Sequence, residues 1–546
     1  MTADPRLRLL GGTGASPVAP KVLSALDDTR VVVRTGSDLT SAHTAALAAF
    51  VGMAARLFGD VVPDPPVTLA PNWWNISDTD ALLKALDFLR PRPTESPTRD
   101  VVVTFGAHVD PGSLGIGGDD YTVRLGCDPQ PLGPAPTHAF GVHAAACLAI
   151  SQLLIEALGP SGFPGVALDG PYVMNLVDYT LTPAPEQTVS TSQPATDGPL
   201  PLAVAGVGSV GTSALALLAT ALAPALGPVS PQAAGTPVEV VTVDADTIDP
   251  DRNPFRYPAL LGPQTGHKAV HIAQRLTALG VPATGAPMTV ADWTRDRARP
   301  GFDGLLLSSV DTLGGRLDVT DVLARTTVSL GVAGLALHAQ REAFGDGFAC
   351  PFCDYVNADP PLTQAGMHAQ RTGLPVTRVL ALLQEGARLA PADVDIVIAA
   401  GTIPPGRRAQ LVGAPLSDLI RQAYAEIELR GTGQPSRGGD VVAVAAPQVS
   451  WFAGVLAAVE IVKQLRGLPL LDRRVDVDLS GLPPGLVRRP TADTSGRCLC
   501  RSGTRTRWYR AMYDDDQTAN LGDTGVTGGI VTTDSRADLR RSIICR

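Results

Sequence analysis

Residues 200–222, LPLAVAGVGSVGTSALALLATAL, decide the fold. PLAVAG reads as a short buried strand and TSALALLATALA as an apolar helix. Between them, GVGSVG places Gly206, Gly208 and Gly211 within six residues. Glycines there permit a tight strand-to-helix turn and let backbone N–H groups approach a phosphate at the positive end of the helix. Working outward, VEVVTVDAD (238–246) reads as the next strand. Asp244 stands at its end, where a carboxylate can accept from ribose hydroxyls. FDGLLLSSVD (302–311) and TVSLGVAG (327–334) read as later strands. Strands alternating with helices predict an α/β, Rossmann-like fold with a parallel sheet and right-handed crossovers. Taken alone, the glycine turn and Asp244 mark a generic nucleotide site, with NAD or FAD as the default occupant.

The chain has 546 residues, of which 45% are apolar and 18% charged. That composition builds packed cores and excludes a largely disordered protein. At roughly 150 residues per domain, the length predicts two to four domains. A net charge of −9 argues against nucleic acid as a partner. Only Lys21, Lys84, Lys268 and Lys463 are lysines; the other basic residues are arginines. No stretch reads as a membrane span or as a signal-peptide core, so the expectation is a cytoplasmic protein without a membrane partner. The seven cysteines are then expected to be reduced.

Residues 1–190 read as a further α/β region. RVVVR (30–34) and DVVVTFG (100–106) suit buried parallel strands, and 41–58 and 138–158 suit helices. The Pro/Ser/Thr-rich stretch 181–199 is the expected boundary. Residues 200–500 form the second region, with a helical insertion at about 372–430, and 501–546 read as a polar C-terminal tail. AAACLAISQLLIEALG (144–159) and FAGVLAAVEIVKQLRG (452–467) match in length and at Leu148/Leu456, Ala149/Ala457 and Gly159/Gly467. They hint at an internal duplication. Trp73-Trp74 reads as core or domain interface. The histidines form no metal-spaced motif.

Three further blocks lie in register with the glycine turn. VDADTIDPDRNPFRYPALLGPQTGHKA (243–269) contains Asp244-x-Asp246, Asn253-x-x-Arg256 and Gly266-His267-Lys268. VDTLGGR brings Asp311 to a strand end with Arg316 five residues on. Cys350-Pro-Phe-Cys353 and Cys498-Leu-Cys500 offer four thiolates, the ligand set of a closed structural zinc site.

Together these blocks resemble the ThiF/MoeB superfamily of adenylyltransferases, which includes ubiquitin-activating enzymes. The loop before Asn253 is about one residue longer than in the family, Gly-His-Lys is one shorter than its Gly-x-x-Lys, and Thr312 stands where it has Asn. The resemblance implies a ThiF-type adenylation fold over 200–500 that uses ATP, magnesium (Mg2+) and structural zinc (Zn2+). It implies nucleotide binding by Gly206, Gly208, Gly211, Asp244 and Asn253, and catalytic roles for Arg256, Lys268 and Asp311. Arg256 and Lys268 would neutralise charge building on the phosphates as a carboxylate attacks. Asp311 would hold the magnesium through a hard oxygen. Cys350, Cys353, Cys498 and Cys500 would hold the zinc. The N-terminal region would be a second, inactive adenylation-like half, as in ubiquitin-activating enzymes and fused bacterial enzymes of ubiquitin-like conjugation operons. Active halves receive an arginine from the partner half near its N-terminus; Arg6 and Arg8 are the candidates.

The expected function is ATP-dependent adenylation of the C-terminal carboxylate of a small ubiquitin-like (β-grasp) protein. A downstream conjugating protein would take the product, and a homodimer is a further expectation. Activation of a ribosomal peptide or of a sulfur-carrier protein is the same chemistry on another partner. A NAD-dependent oxidoreductase and a catalytically dead scaffold are the alternatives from other classes. Between Cys353 and Cys498 there is no cysteine to receive an acyl group. Cys545 near the C-terminus, Thr363 and Ser417 are the candidate acceptors, with Thr402 beside them; Cys127 and Cys147 read as structural.

Overall fold

The structure is a computed structural model. It describes residues 19–89, 96–109, 111–133, 138–161, 165–181, 199–223, 238–297, 300–356, 372–384, 386–400, 405–419, 445–481 and 486–513, with isolated positions 6, 163, 226, 365, 368, 369 and 403. It is a mixed α/β protein with two largely parallel sheets.

The N-terminal sheet contains β1 (Thr29–Thr35), β2 (Asp60–Pro63), β3 (Arg99–Phe105), β4 (Leu114–Gly118), β5 (Thr122–Gly126) and β6 (Tyr172–Asn175). Helix α1 (Ser41–Leu57) follows β1, and α2 (Phe140–Leu158) joins β5 to β6. The strand order is β2-β1-β3-β4-β5-β6. The first four strands run parallel, with Val31 facing Val61 on one side and Val101 on the other; β5 and β6 are antiparallel. Unbroken β-branched runs such as VVV in β1 suit a strand with neighbours on both sides.

The C-terminal sheet begins with β7 (Leu200–Ala205), then α3 (Ser209–Leu222), β8 (Val238–Val243), α4 (Lys268–Ala278) and β9 (Ala283–Ala286). β10 (Phe302–Ser308), α5 (Leu313–Asp321), β11 (Ala324–Ala333) and β12 (Ala336–Glu342) continue it. After the helices α6 (Val376–Leu382) and α7 (Pro391–Ala399) come α8 (Pro447–Leu465), β13 (Arg474–Asp478), β14 (Leu486–Arg488) and α9 (Gly503–Tyr513). The order is β14-β13-β12-β11-β10-β7-β8-β9. The five strands from β9 to β11 are parallel and the last three antiparallel.

The wiring repeats. β1, β2, β3, β4, β5 and β6 occupy the places of β7, β8, β10, β11, β12 and β13, with the same change from parallel to antiparallel pairing. Helix α2 lies between β5 and β6 in the chain as α8 lies between β12 and β13. The two matching segments 144–159 and 452–467 fall on these helices. They pack on each other, and α8 packs on α3. Both helices are buried nearly all round, so one apolar core spans the two sheets. A Cβ at Gly454 would stand 2.8 Å from the Ala214 nitrogen, so glycine is what lets α8 approach α3 this closely. Composition and length alone would let α2 cross a bilayer, but 94% of that window is buried inside the protein.

One polar group threads this core. Glu460 on α8 accepts from Tyr179 Oη (2.8 Å), the Leu471 amide (2.8 Å) and Lys463 Nζ (2.5 Å). Lys463 also donates to the Val177 carbonyl at 2.8 Å, which ties α8 to the chain just after β6. A buried pair adds little net stability, but removing one partner strands the other charge.

The helical insertion has its own small core, including Leu374, Val379, Leu382, Val394, Val397, Leu411 and Leu419. Its expected end at 430 lies outside the described residues. The tail expected from 501 opens with α9, whose Tyr509 and Tyr513 hydroxyls donate to the Arg325 and Leu323 carbonyls. Those two phenols anchor a helix that polar composition alone did not announce.

Glu460→Ala should cost about 3–5 kcal/mol in denaturant unfolding, because Lys463 is left buried without its carboxylate. A loss below about 1 kcal/mol would show that the network contributes little to joining the two sheets.

Candidate nucleotide site and cysteine cluster

The order of strand addition reverses at β7: β8 and β9 are laid down on one side and β10 and β11 on the other. In open α/β sheets, the crevice at the carboxyl ends of the strands at such a switch point is where ligands bind. The glycine turn lies in it. Gly206 has φ +85°, which a side chain resists. A Cβ at Gly211 would fall 2.2 Å from the Gly206 carbonyl oxygen, so that position too needs glycine. Gly208 caps α3 with no side-chain cap, which leaves the first amides of the helix for an anion. Ser309, just after β10, fixes the turn from the other side. Its Oγ donates to the Gly206 carbonyl (2.6 Å) and its amide to Ala205 (2.9 Å).

Asp244 sits half-buried at the end of β8. Its carboxylate accepts the Val207 amide (2.6 Å) and the Asp246 amide (2.8 Å), so it braces the glycine turn from within. Burial pushes its carboxyl above the ordinary aspartate range, against the pull of those amides and of Lys268.

The residues of 243–269 are gathered by a short backbone clasp. Lys268 N donates to the Asp246 carbonyl, Thr247 and His267 form a β-bridge, and Ile248 N donates to Gly266. The clasp closes the loop that carries Asn253 and Arg256. Lys268 opens α4 and is buried; its Nζ lies 2.6 Å from Asp246 Oδ2. A cation at a helix N-terminus opposes the helix dipole. Burial also disfavours its charge, yet Tyr257 and Asp246 outweigh it and raise the ammonium above its usual range. Arg256 ends the short helix Asn253–Arg256. Its carbonyl accepts Ser209 Oγ (2.7 Å), and its buried Nε has no hydrogen-bond partner among the described residues. Asn253 is turned inward, its Oδ1 accepting the Asp249 amide at 2.8 Å, so it shapes the loop from inside.

Tyr257 was not singled out by the motifs, yet it is the hub of this cluster. The Arg256 guanidinium and Lys268 ammonium lie 5.9 and 6.0 Å from its ring centre. Its hydroxyl is the nearest atom, at 3.8 Å, to where a Gly208 Cβ would be. Burial pushes the phenol up while Lys268 and Arg256 pull it down. Its place after Arg256 was visible; nothing in the spacing pointed to it.

Asp311 is exposed, two residues beyond Ser309, at the mouth of the same crevice. Thr312 caps α5, its Oγ1 accepting the Gly315 amide at 3.1 Å. Threonine thus performs a capping role that does not require the expected Asn. Arg316, one turn on, is buried. The structure therefore brings Gly206, Gly208, Gly211, Asp244, Lys268 and Arg256 around one turn, with Asp311 on the facing strand end.

The four cysteines also meet. Cys350, Cys353, Cys498 and Cys500 are buried, with all four sulfurs within 4.8 Å of one another. Cys350 and Cys498 are 3.3 Å apart, and Cys353 and Cys500 3.4 Å. These separations are far beyond a disulfide bond. A tetrahedron with zinc–sulfur bonds of about 2.3 Å has edges of about 3.8 Å, so the donor set fits a closed zinc site. Asp493 shapes the second knuckle by accepting the Ser495, Arg497 and Cys498 amides. Tyr509 of α9 packs on the same cluster.

Of the candidate acyl acceptors, Cys545, Thr363 and Thr402 lie outside the described residues. Ser417 is exposed on the helical insertion. Cys127 is exposed, and Cys147 is buried in α2 with its thiol pushed well up. Arg6 is buried and paired with Asp27 at 2.6 Å; Arg8 lies outside the described residues.

No family model and no curated protein matches the chain. Among solved structures the chain is similar to Escherichia coli MccB, crystallised with MccA-N7isoASN, at 13% identity and a TM-score of 0.30. The likeness covers 56% of this chain and 67% of that one.

The purified chain should carry about one zinc, and Cys350→Ser combined with Cys498→Ser should remove it and loosen α9. Elemental analysis checks this; metal-free native protein would contradict it.

Proposed function

We propose that this chain is an ATP-dependent adenylyltransferase that activates the C-terminal carboxylate of a small ubiquitin-like protein, as the activating enzyme of a bacterial conjugation pathway. The observation that carries this reading is the gathering of Lys268 and Arg256 beside the glycine turn, with Asp311 at the facing strand end. A nicotinamide cofactor would use the turn and Asp244 but gives these three no work. In adenylation, a carboxylate oxygen attacks the α-phosphorus; an O–P bond forms there, the α–β bridging P–O bond breaks, and pyrophosphate leaves. Arg256, and Lys268 on release from Asp246, would neutralise the phosphate oxygens. Asp311 would hold magnesium, which supplies charge neutralisation on the phosphates. The amides after Gly206 and Gly208 would cradle the nucleotide, with Asp244 holding the turn and the ribose.

On this reading the N-terminal sheet is an adenylation-like half without catalytic residues. The repeated wiring supports a duplication, and no glycine-rich turn follows β1, where GSDLTS stands instead. The cysteine cluster would carry structural zinc, since four sulfurs leave no open position. The partner would be a β-grasp protein, with a conjugating protein downstream; a ribosomal peptide or sulfur carrier would use the same chemistry.

Incubation with Mg-ATP and a β-grasp protein encoded alongside should release AMP and pyrophosphate. Lys268→Ala should reduce kcat/KM about 100-fold or more, and Asp311→Ala should abolish turnover. Unchanged turnover in both variants would remove the site assignment.

A further inference from the structure

The strap Pro254–Leu260, which carries Arg256, is held from outside its own sheet. Five of its carbonyls, those of Pro254, Tyr257, Pro258, Ala259 and Leu260, accept from donors in the N-terminal region. Arg56 in the last turn of α1 donates to Pro254 (2.9 Å), Tyr257 (3.3 Å) and Leu260 (2.7 Å). Trp73 Nε1 donates to Ala259 (2.9 Å) and Trp74 Nε1 to Pro258 (3.2 Å). Arg56 is fully buried, and its fourth acceptor is also a carbonyl, Gly52 in its own helix at 2.6 Å. Burial alone pushes its guanidinium down to about 9, which leaves it charged at neutral pH.

A buried cation answered only by carbonyls is costly, and an apolar side chain would fill the same space without that cost. What a guanidinium supplies is geometry: a rigid fork of donors that sets several carbonyls at fixed positions. The strap it sets begins one residue after Asn253 and contains Arg256 and Tyr257. The indole donors continue the same clamp. Asn72 holds their turn together by donating to Ala70 and Ile76 and accepting the Trp74 and Ile76 amides. Arg275 of α4 returns the tie by donating to the Trp73 carbonyl at 2.8 Å.

We infer that Arg56 is a positioning residue for the nucleotide site: the N-terminal half, through Arg56 and the Trp73-Trp74 indoles, holds the strap in the conformation that presents the Arg256 guanidinium to the phosphates. This rests on the adenylation reading. It gives the N-terminal half a task that needs no catalytic residue. It also makes the half's contribution pass through backbone carbonyls, where neither Arg6 nor Arg8 is needed.

The test is a double-mutant cycle in the full chain, read as the Kd for Mg-ATP. Arg56→Met should keep cooperative unfolding, speed amide exchange over 253–260 and weaken ATP binding about tenfold. In an Arg256→Ala background, the same change should weaken binding no further, because its effect runs through the missing guanidinium. Arg56→Lys should restore part of the affinity. Trp73→Phe, which keeps the ring and removes one donor, should weaken binding less, about threefold, and also only when Arg256 is present; it serves if Arg56→Met does not fold. Native ATP affinity in folded Arg56→Met, or an equal loss with and without Arg256, would overturn the inference and leave the adenylation reading standing. Failure of the native chain to bind ATP would overturn both.

Discussion

The close approach of α8 to α3 at Gly454 is the contact on which the rest depends. Helix α3 begins at the glycine turn, so whatever fixes its axis fixes the direction of its free N-terminal amides. Helix α8 does this from below, through small side chains and a glycine. It is itself pinned to α2 of the other sheet and to the Val177–Tyr179 segment through Glu460 and Lys463. Packing of this density transmits displacement instead of absorbing it. The site is therefore mounted on a core shared by both sheets.

Charge around the glycine turn is arranged with the opposite logic. Asp244 is committed to backbone amides, and Lys268 is partnered by Asp246. Arg256 has a buried Nε without a hydrogen-bond partner among the described residues. A phosphate entering beside the turn would meet the half-buried guanidinium without breaking an ion pair among the described residues. It would then compete with Asp246 for Lys268. Tyr257 keeps both cations near its ring face, which favours positive charge there.

Much of this was legible in the sequence. The glycine turn was readable because strand, turn and helix each left their own pattern within 23 residues. The gathering of Asp244, Arg256 and Lys268 was implied by the resemblance to the adenylyltransferase family, and the four cysteines read as one ligand set. The match of 144–159 with 452–467 pointed to the two equivalent helices. Other features left no local trace. β5, β6, β13 and β14 are short strands defined by their pairing, β6 and β13 with partners far away in the chain, so periodicity could not find them. Ser309 and Arg56 act on backbone carbonyls far away in the chain, and a side chain that serves a distant carbonyl has no spacing signature; Tyr257 acts through its ring on two cations. Asn253 carried the right motif, but its amide oxygen is used by the loop itself. Trp73-Trp74 was legible as core or domain interface, and in the structure both indoles donate to carbonyls of the strap 254–260.

The central claim is that the cluster of Arg256, Lys268 and Asp311 around the glycine turn is built for a nucleoside triphosphate. Calorimetric titration of the full chain with Mg-ATP, and separately with NAD, tests it most directly. Mg-ATP should bind saturably, about tenfold more weakly in Arg256→Ala, and NAD should not compete. Saturable binding of NAD with none of ATP would contradict it.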